Sequence, residues 1–318
     1  MNKFNRNIIV IISLLFLAAF TGSPSPDAFH RIDIKSASQL KDFFHYTKDR
    51  IPFLSSHRGG PIKGFPENCP ATFDNTLSHT WSMMEMDPHY TKDSILVVMH
   101  DPTLNRTSDG HGKIIDYTYE ELKKVRLKDP MGNVTGYGIS TLDEVLEWAK
   151  GKTILVVDMK EVSIEARVKK IQEHHVQNNA IVIAYSFDDA KRCYAMDKNI
   201  IMEVMMPDKE AVARFDSTGI PWQNVVAFVT HTQPKDKGIF ELIHSKGAMC
   251  IMGSSRSVDR DFATGKIKGV DELEKQYHAL ISEGADIIEA DMGIEAGAAL
   301  EKIKPLKSSK SKYFKMMQ

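Results

Sequence analysis

The chain is poor in cysteine, nearly neutral in charge and without a glycine-rich phosphate loop. Its three cysteines are far apart in 318 residues and form no CxxC pair, so we expect neither a disulfide framework nor a zinc site. A formal net charge of -1 gives no sign of a nucleic-acid partner. No GxGxxG or GxxxxGK pattern follows a predicted strand, which disfavours a nucleotide-binding sheet. A hydrophobic content of 42% is ordinary for a soluble globular protein.

The first 23 residues differ in composition from the rest of the chain. Lys3 and Arg6 precede an apolar run at 8–20, and small residues follow it. This pattern predicts a secretory signal peptide at 1–23, with an uncleaved anchor as the alternative. The run is short for a membrane span, so we expect no stable span after removal of the signal. Export with so few cysteines favours a bacterial periplasmic or secreted protein.

Beyond residue 24, short apolar runs alternate with helical patterns. Strands are predicted at 51–57, 84–88 with 95–100, 153–159, 180–186, 200–206, 225–230, 248–252 and 286–291. Helices are predicted at 71–82, 141–150, 163–177, 188–197, 208–217, 236–246 and 271–283. If 84–100 is one bent strand or hairpin, eight βα units result. That number predicts an α/β fold, a (β/α)8 TIM-type barrel over 24–304, with a doubly wound open sheet as the alternative.

Two segments depart from this alternation. The glycine-containing stretch 103–140, with a short predicted helix at 118–127, indicates an insertion after the second strand. We expect it to shape the substrate pocket. The segment 305–318 is rich in lysine and is predicted to be a solvated basic C-terminal tail, with loose contact to an anionic membrane surface as the alternative.

Charged side chains gather where the predicted strands end. Parallel-barrel enzymes bind and react at the carboxyl ends of their strands, so these residues are candidates for one site. They are His57, Arg58, Glu85, Asp87, His100, Asp158, Lys160 and the run Glu289-Ala290-Asp291.

These residue types suit the cleavage of a phosphodiester. Glu85 and Asp87 have i, i+2 spacing, which places two like charges on one face of a strand. A cation between them would relieve the repulsion, and carboxylates favour Ca²⁺ or Mg²⁺; salt bridges to helices are the alternative. Arg58 and Lys160 could neutralise phosphoryl oxygens, while two histidines could serve as acid and base. Among the other histidines, His231 is the candidate for a substrate contact.

Four motifs in the expected order resemble those of the glycerophosphodiester phosphodiesterases. They are His57-Arg58-Gly59, Pro66-Glu67-Asn68, Glu85-Met86-Asp87 and His100-Asp101-Pro102-Thr103-Leu104-Asn105-Arg106-Thr107. The resemblance is dense over about 51–160 and thinner up to 304. It implies a TIM-type barrel and the metal-dependent hydrolysis of glycerophosphodiesters to glycerol 3-phosphate and an alcohol.

The resemblance also implies roles for individual residues. His57 and His100 correspond to a general acid/base pair, and Arg58 and Lys160 to phosphate-binding residues. Glu85, Asp87 and Asp158 correspond to ligands of a divalent metal, Ca²⁺ or Mg²⁺. Glu67 is expected beside the site, in contact with the substrate or with another site residue.

Some positions depart from the family pattern. Asp158 stands where glutamate is usual, and Cys69 stands where threonine is usual. The seventh predicted strand lacks a tryptophan-threonine pair, and Glu289-Ala290-Asp291 replaces a threonine-aspartate pair. We expect these changes on the side of the barrel that holds the alcohol, so they bear on the substrate and leave the reaction intact.

Two other functions remain open at this point. A phospholipase-C-like or sphingomyelinase-D-like lipid phosphodiesterase would use the same plan of histidines and acidic residues. An exposed apolar loop near the catalytic face would favour a lipid, and none is expected in 103–140. The other alternative is a non-catalytic envelope binding protein, which the complete set of histidines, carboxylates and Arg58 disfavours.

Overall fold

Eight parallel strands close into a barrel, in the order β2-β3-β8-β9-β10-β11-β12-β13 and back to β2. The computed structural model describes residues 29–317, so the predicted signal at 1–23 lies outside the described residues. In chain order the described strands are β1 (Phe29–Ile32), β2 (Phe53–Ser56), β3 (Ser82–Met86), β4 (Pro88–Tyr90), β5 (Leu96–Val98), β6 (Arg126–Lys128), β7 (Val134–Gly138), β8 (Leu155–Val157), β9 (Ala180–Ala184), β10 (Met202–Met205), β11 (Val225–Thr230), β12 (Cys250–Gly253), β13 (Ile287–Ala290) and β14 (Phe314–Met317). The predicted barrel is confirmed, and the open-sheet alternative is wrong.

The structure describes eleven α-helices, most of which connect successive barrel strands and cover the outside of the barrel. They are α1 (Ala37–Phe44), α2 (Pro70–His79), α3 (Tyr119–Leu122), α4 (Leu142–Ala149), α5 (Ile164–Glu173), α6 (Phe187–Met196), α7 (Lys209–Asp216), α8 (Ile239–Ser245), α9 (Val258–Ala263), α10 (Val270–Glu283) and α11 (Gly293–Lys302). The capping box expected for α4 is present: Glu144 N donates to Thr141 Oγ1, and Thr141 N donates to the Glu144 carboxylate. Within residues 29–317, no helix is both long enough and apolar enough to cross a bilayer.

The barrel strands are buried on both faces, which explains their nearly continuous apolar sequences. On β8, Leu155 and Val157 pack in the layer between strands and helices, whereas Val156 points into the barrel. At the amino end of the barrel, Phe43 of α1 packs on Phe53 of β2, with ring centroids 5.1 Å apart. Apolar side chains of the described residues therefore close the amino end of the barrel, which leaves the carboxyl end for a site.

The C-terminal segment packs against the barrel, so the prediction of a solvated tail at 305–318 is wrong. Strand β14 pairs antiparallel with β1. Tyr313 is buried against Phe43, with ring centroids 5.5 Å apart. Lys310 is also buried, and its ammonium donates to the carbonyl of Asp42. The aromatic pair Tyr313 and Phe314 fixes this segment although lysines dominate its composition.

The segment between β3 and β8 builds a small subdomain beside the barrel. The predicted second strand unit divides: β3 belongs to the barrel, whereas β4 and β5 form an antiparallel hairpin outside it. A second hairpin, β6–β7, follows within the predicted insertion. Met131 is 70% exposed and Val134 is 54% exposed in this insertion. Both lie in or next to the turn of the β6–β7 hairpin. The expectation of no exposed apolar loop near the catalytic face stays a prediction.

A buried carboxylate ties the amino ends of β12 and β13 together. Asp286 accepts from Arg50 Nε, from Cys250 N at 2.7 Å and from His244 Nε2 at 2.8 Å. The Tyr46 ring stacks on His244 with centroids 3.6 Å apart. His244, Cys250 and Asp286 could in principle hold a metal, a grouping that the sequence did not indicate. Burial raises the pKa of the Cys250 thiol far above its usual value, which disfavours a thiolate ligand. Because Asp286 already accepts from three protein donors, we interpret this network as structural.

Removal of this carboxylate should destabilise the fold strongly. Asp286→Ala would leave the charge of Arg50 without its buried partner, so we expect the free energy of unfolding to fall by roughly 3–5 kcal/mol. Urea unfolding measures this loss. As a control, Glu120→Ala removes a carboxylate that is 80% exposed and should cost less than about 1 kcal/mol. Equal effects of the two substitutions would contradict a structural role for Asp286.

Candidate active site

A polar cavity of about 390 Å³ opens at the carboxyl end of the barrel strands. Eight of the residues predicted as candidates for the site line it: His57, Arg58, Glu85, His100, Asp158, Lys160, Glu289 and Asp291. Asp87 is fully buried and lies against the Lys160 ammonium. Glu67 pairs with Arg58, which lines the cavity, and with Arg106.

Three buried carboxylates meet where β3 and β8 end. Glu85 is on β3, Asp87 follows that strand directly, and Asp158 follows β8. Because β3 and β8 pair in parallel, with Met86 opposite Val157, their ends bring these side chains to one edge. One oxygen from each of the three carboxylates lies within 4.8 Å of the other two.

Lys160 partly neutralises this cluster. Its Nζ lies 2.8 Å from Asp87 Oδ1 and 2.9 Å from Asp158 Oδ2. Burial opposes the charge of Lys160, but the charges of Asp87 and Asp158 outweigh it and raise the pKa of the ammonium. Burial also opposes ionisation of Asp87, and the Lys160 charge nevertheless lowers the pKa of that carboxyl.

The pKa of Glu85 indicates that the Lys160 ammonium alone does not offset the negative charge of the three carboxylates. Burial, followed by the charges of Asp87 and Asp158, raises the pKa of Glu85 well above its usual value. Three carboxylates with hard oxygen atoms and surplus negative charge fit Ca²⁺ or Mg²⁺. The predicted ligand set Glu85, Asp87 and Asp158 is therefore compatible in position and chemistry with a divalent cation.

Three non-glycine residues with left-handed backbone conformations surround the carboxylates. Arg58, Asn68 and Lys160 have φ values of 53°, 56° and 40°. Arg58 N donates to Glu85 Oε2 at 2.8 Å, and Asn68 Nδ2 donates to Asp87 Oδ2 at 2.7 Å. Such conformations are uncommon outside glycine and concentrate at functional sites. The sequence marked Asn68 only as part of a motif, since its backbone conformation is not visible there.

His57 lies in a 3-10 turn, His57–Gly59, that begins directly after β2. Its Nδ1 is 2.6 Å from Asp291 Oδ1, and its Nε2 is 3.9 Å from Glu85 Oε2. Burial opposes protonation of His57, but the hydrogen bond to Asp291 and the charge of Glu289 outweigh it and raise its pKa. Asp291 thus orients the imidazole, a role that the sequence did not assign to it. Pairing of β13 with β2 is what brings the two residues together.

His100 follows the β4–β5 hairpin, outside the barrel strands, and reaches the same cavity. Its Nδ1 is 2.7 Å from Asp101 Oδ1. Hydrogen bonds from Arg106 hold the pKa of Asp101 well below its usual range. Each candidate catalytic histidine therefore has its own carboxylate on Nδ1.

Glu67 links two arginines. It accepts from Arg106 Nη1 at 2.9 Å and Nη2 at 2.8 Å, and from Arg58 Nη1 at 3.3 Å. Contact with another site residue, one of the two contacts expected of Glu67, is present, and the expected contact with the substrate stays a prediction. Among the described residues, none from 103–140 lines the cavity, and Arg106 links that segment to the site through Asp101 and Glu67. The expectation that the insertion shapes the substrate pocket stays a prediction.

Several residues of the cavity wall were not foreseen as site residues. Glu203 on β10 and Tyr185 after β9 line the cavity, and so does Arg256 after β12. Tyr185 Oη donates to Asp158 Oδ1 at 2.7 Å. Glu203 could have been suspected, because a lone glutamate stands inside the apolar run Met202–Met205.

His231, which the sequence marked for a possible substrate contact, lines this wall. Its ring lies 4.7 Å from that of Phe228. Burial, then the charge of Arg256, lowers the pKa of His231 to about 4. The imidazole is therefore neutral at physiological pH and adds no positive charge to the cavity.

Loss of the Asp291 charge should lower the pKa of His57. Asp291→Asn keeps a polar partner for Nδ1 but removes the anion that stabilises the imidazolium, so the His57 titration should move to lower pH. Histidine ring NMR signals followed against pH would measure the change. A His57 titration that stays in place, or moves to higher pH, would contradict the pairing.

Comparison with known proteins agrees with this geometry. A family model described as the glycerophosphoryl diester phosphodiesterase family matches residues 57–271. A glycerophosphodiester phosphodiesterase of Caldanaerobacter subterraneus subsp. tengcongensis is 34% identical over 43% of this chain and 60% of its own length. A Bacillus altitudinis protein of the same name is 26% identical over 79% of this chain and 99% of its own length.

Solved structures give the same result. A glycerophosphoryl diester phosphodiesterase of Parabacteroides distasonis ATCC 8503 is similar over 91% of this chain and all of its own, with a TM-score of 0.86 and 39% identity. An Oleispira antarctica phosphodiesterase, solved with the product sn-glycerol-3-phosphate, has a TM-score of 0.59 and 19% identity over 84% of this chain and all of its own. The second likeness shows the fold alone. The chain belongs to the glycerophosphoryl diester phosphodiesterase family, a family of phosphoric diester hydrolases.

Proposed function

We propose that this protein hydrolyses glycerophosphodiesters to sn-glycerol 3-phosphate and an alcohol, with a divalent cation held by Glu85, Asp87 and Asp158. The observation that carries the proposal is one cavity lined by two histidines, each with a carboxylate on Nδ1, beside that buried carboxylate cluster. The Oleispira antarctica relative, which was solved with sn-glycerol-3-phosphate, supports the choice of product.

The substrate phosphate would bind between Arg58 and Lys160. Both line the cavity, and both are held in place by carboxylates, Arg58 by Glu67 and Lys160 by Asp87 and Asp158. Fixed cations of this kind stabilise charge that develops on phosphoryl oxygens without reorganising during the reaction. A cation bound by the three carboxylates would add further neutralisation of the same oxygens.

His57 and His100 would transfer the protons. With Nδ1 of each ring bound to a carboxylate, Nε2 is left as the exchanging atom of both imidazoles. One histidine takes the proton of the nucleophile, and the other supplies a proton to the departing alcohol oxygen. Asp291 and Asp101 fix the orientation of the rings for this transfer.

We also propose that the protein acts outside the cytoplasm of a bacterium, in the periplasm or after secretion. The support is the charged, apolar and small-residue pattern at 1–23, which is typical of a secretory signal. A glycerophosphodiester in that compartment would be the partner, and nucleic acid would not.

A lipid phosphodiesterase activity is the second candidate, and one structural observation favours it. The insertion carries Ile115, Met131 and Val134 with exposures of 49%, 70% and 54%. Exposed apolar side chains can contact a lipid surface. A lysophospholipid substrate would use the same phosphate and acid/base groups. The non-catalytic binding protein has no comparable support, because its cavity would not need two oriented histidines.

Loss of either histidine should abolish the reaction. His57→Ala and His100→Ala should each lower the release of glycerol 3-phosphate from glycerophosphocholine by about 100-fold or more, since each removes a proton-transfer group. His111→Ala is the control, because this exposed histidine lies in the insertion and should leave turnover unchanged. Near-normal turnover in either site variant would contradict the assignment.

The same assay separates the two candidate functions when products are identified. Release of glycerol 3-phosphate from glycerophosphodiesters, with lysophospholipids left intact, supports the first candidate. Faster cleavage of lysophospholipids, or release of phosphocholine, would replace it with the second.

A further inference from the structure

The cavity has a second wall that the proposed reaction does not use. Glu203 on β10 and His231 after β11 line it, away from the phosphate-binding groups on β2, β3 and β8. In the barrel order, β11 is the fourth strand from β3 in either direction, and β10 is its neighbour. A phosphate held by Arg58 and Lys160 would therefore leave this wall to another part of the substrate.

Glu203 is a buried carboxyl group with one oxygen unpaired among the described residues. Its side chain lines the cavity, yet the residue is only 1% exposed. Among residues 29–317, no group makes a hydrogen bond to Glu203 Oε2. A buried polar atom left unpaired is costly, and such atoms in native proteins usually have a bound partner. A ligand in the cavity is the natural source of that partner.

The charges around Glu203 favour a positively charged partner. Arg58 and Lys160 are already paired with carboxylates on the phosphate side. Burial, followed by the charges of Glu289 and Asp158, raises the pKa of Glu203 well above its usual value, so a cation bound beside this carboxyl would relieve the cost of its ionisation. His231 on the same wall is neutral at physiological pH and supplies no such cation. Arg256 is the permanent cation on this wall, and it is exposed to solvent, which screens its charge.

We propose that Glu203 binds a primary ammonium group on the alcohol part of the substrate, so that glycerophosphoethanolamine is the preferred substrate class. A primary ammonium supplies both a charge and N–H donors to Oε2. A quaternary ammonium such as choline has no N–H group, and a polyol has no charge. This inference rests on the proposed function, and it adds a residue that determines which alcohol is accepted.

The test is a comparison of two substrates that differ only in three N-methyl groups. The kcat/KM for glycerol 3-phosphate release should be about tenfold higher with glycerophosphoethanolamine than with glycerophosphocholine, since a charged hydrogen bond separates them. In Glu203→Gln this ratio should fall toward one, because the amide keeps the size of the side chain but cannot carry the negative charge. A cooperative thermal unfolding transition shows that the variant is folded.

Glu210→Gln provides the matched control. It removes one exposed carboxylate on α7, outside the catalytic cavity, and should leave the substrate ratio unchanged. Equal efficiency of the wild-type protein on both substrates, or a preference that survives in Glu203→Gln, would overturn the inference and leave the proposed function intact. If neither substrate releases glycerol 3-phosphate, the proposed function itself fails, and this inference fails with it.

Discussion

Repulsion among Glu85, Asp87 and Asp158 is the constraint on which the site depends. Parallel pairing of β3 with β8 forces these carboxylates together at the closed end of a cavity, where burial strengthens their repulsion. The surrounding residues offset that repulsion. Lys160 supplies an ammonium, Asn68 and the Arg58 N–H supply hydrogen bonds, and all three residues adopt left-handed backbone conformations to do so. A fold selected for stability alone would have no reason to keep this arrangement.

Two sets of carboxylates hold the catalytic groups in position, one in contact with them and one farther from the cavity. Asp291 and Asp101 contact the histidines directly. Farther out, Arg106 connects Asp101 to Glu67, which in turn holds Arg58. His100 and Arg58 come from distant parts of the chain, so this chain of ion pairs couples the position of a proton-transfer group to that of a phosphate-binding group. The insertion thereby contributes to the site without entering the cavity.

The barrel and most of the site could be predicted because both depend on local patterns. Apolar runs that end in charged residues mark strand ends, and strand ends of a parallel barrel converge, so His57, Glu85 and Asp158 could be grouped from sequence. Contacts between distant segments could not. The pairing of Asp291 with His57 requires the closure of β13 onto β2, and the packing of 305–318 requires its pairing with β1. The role of Glu203 depends on an oxygen without a partner among residues 29–317, which only a three-dimensional arrangement shows.

Direct binding of a divalent cation tests the central claim without relying on activity. Thermal unfolding of the protein should be measured against increasing Ca²⁺ and, separately, Mg²⁺. We expect a saturable rise in Tm with at least one of them, because a ligand of the native state stabilises it by mass action. Glu85→Gln should melt no lower than the wild-type protein without metal, since it relieves repulsion, and its metal-dependent rise should be much smaller. No rise with either cation, or an equal rise in Glu85→Gln, would contradict a metal site at these carboxylates.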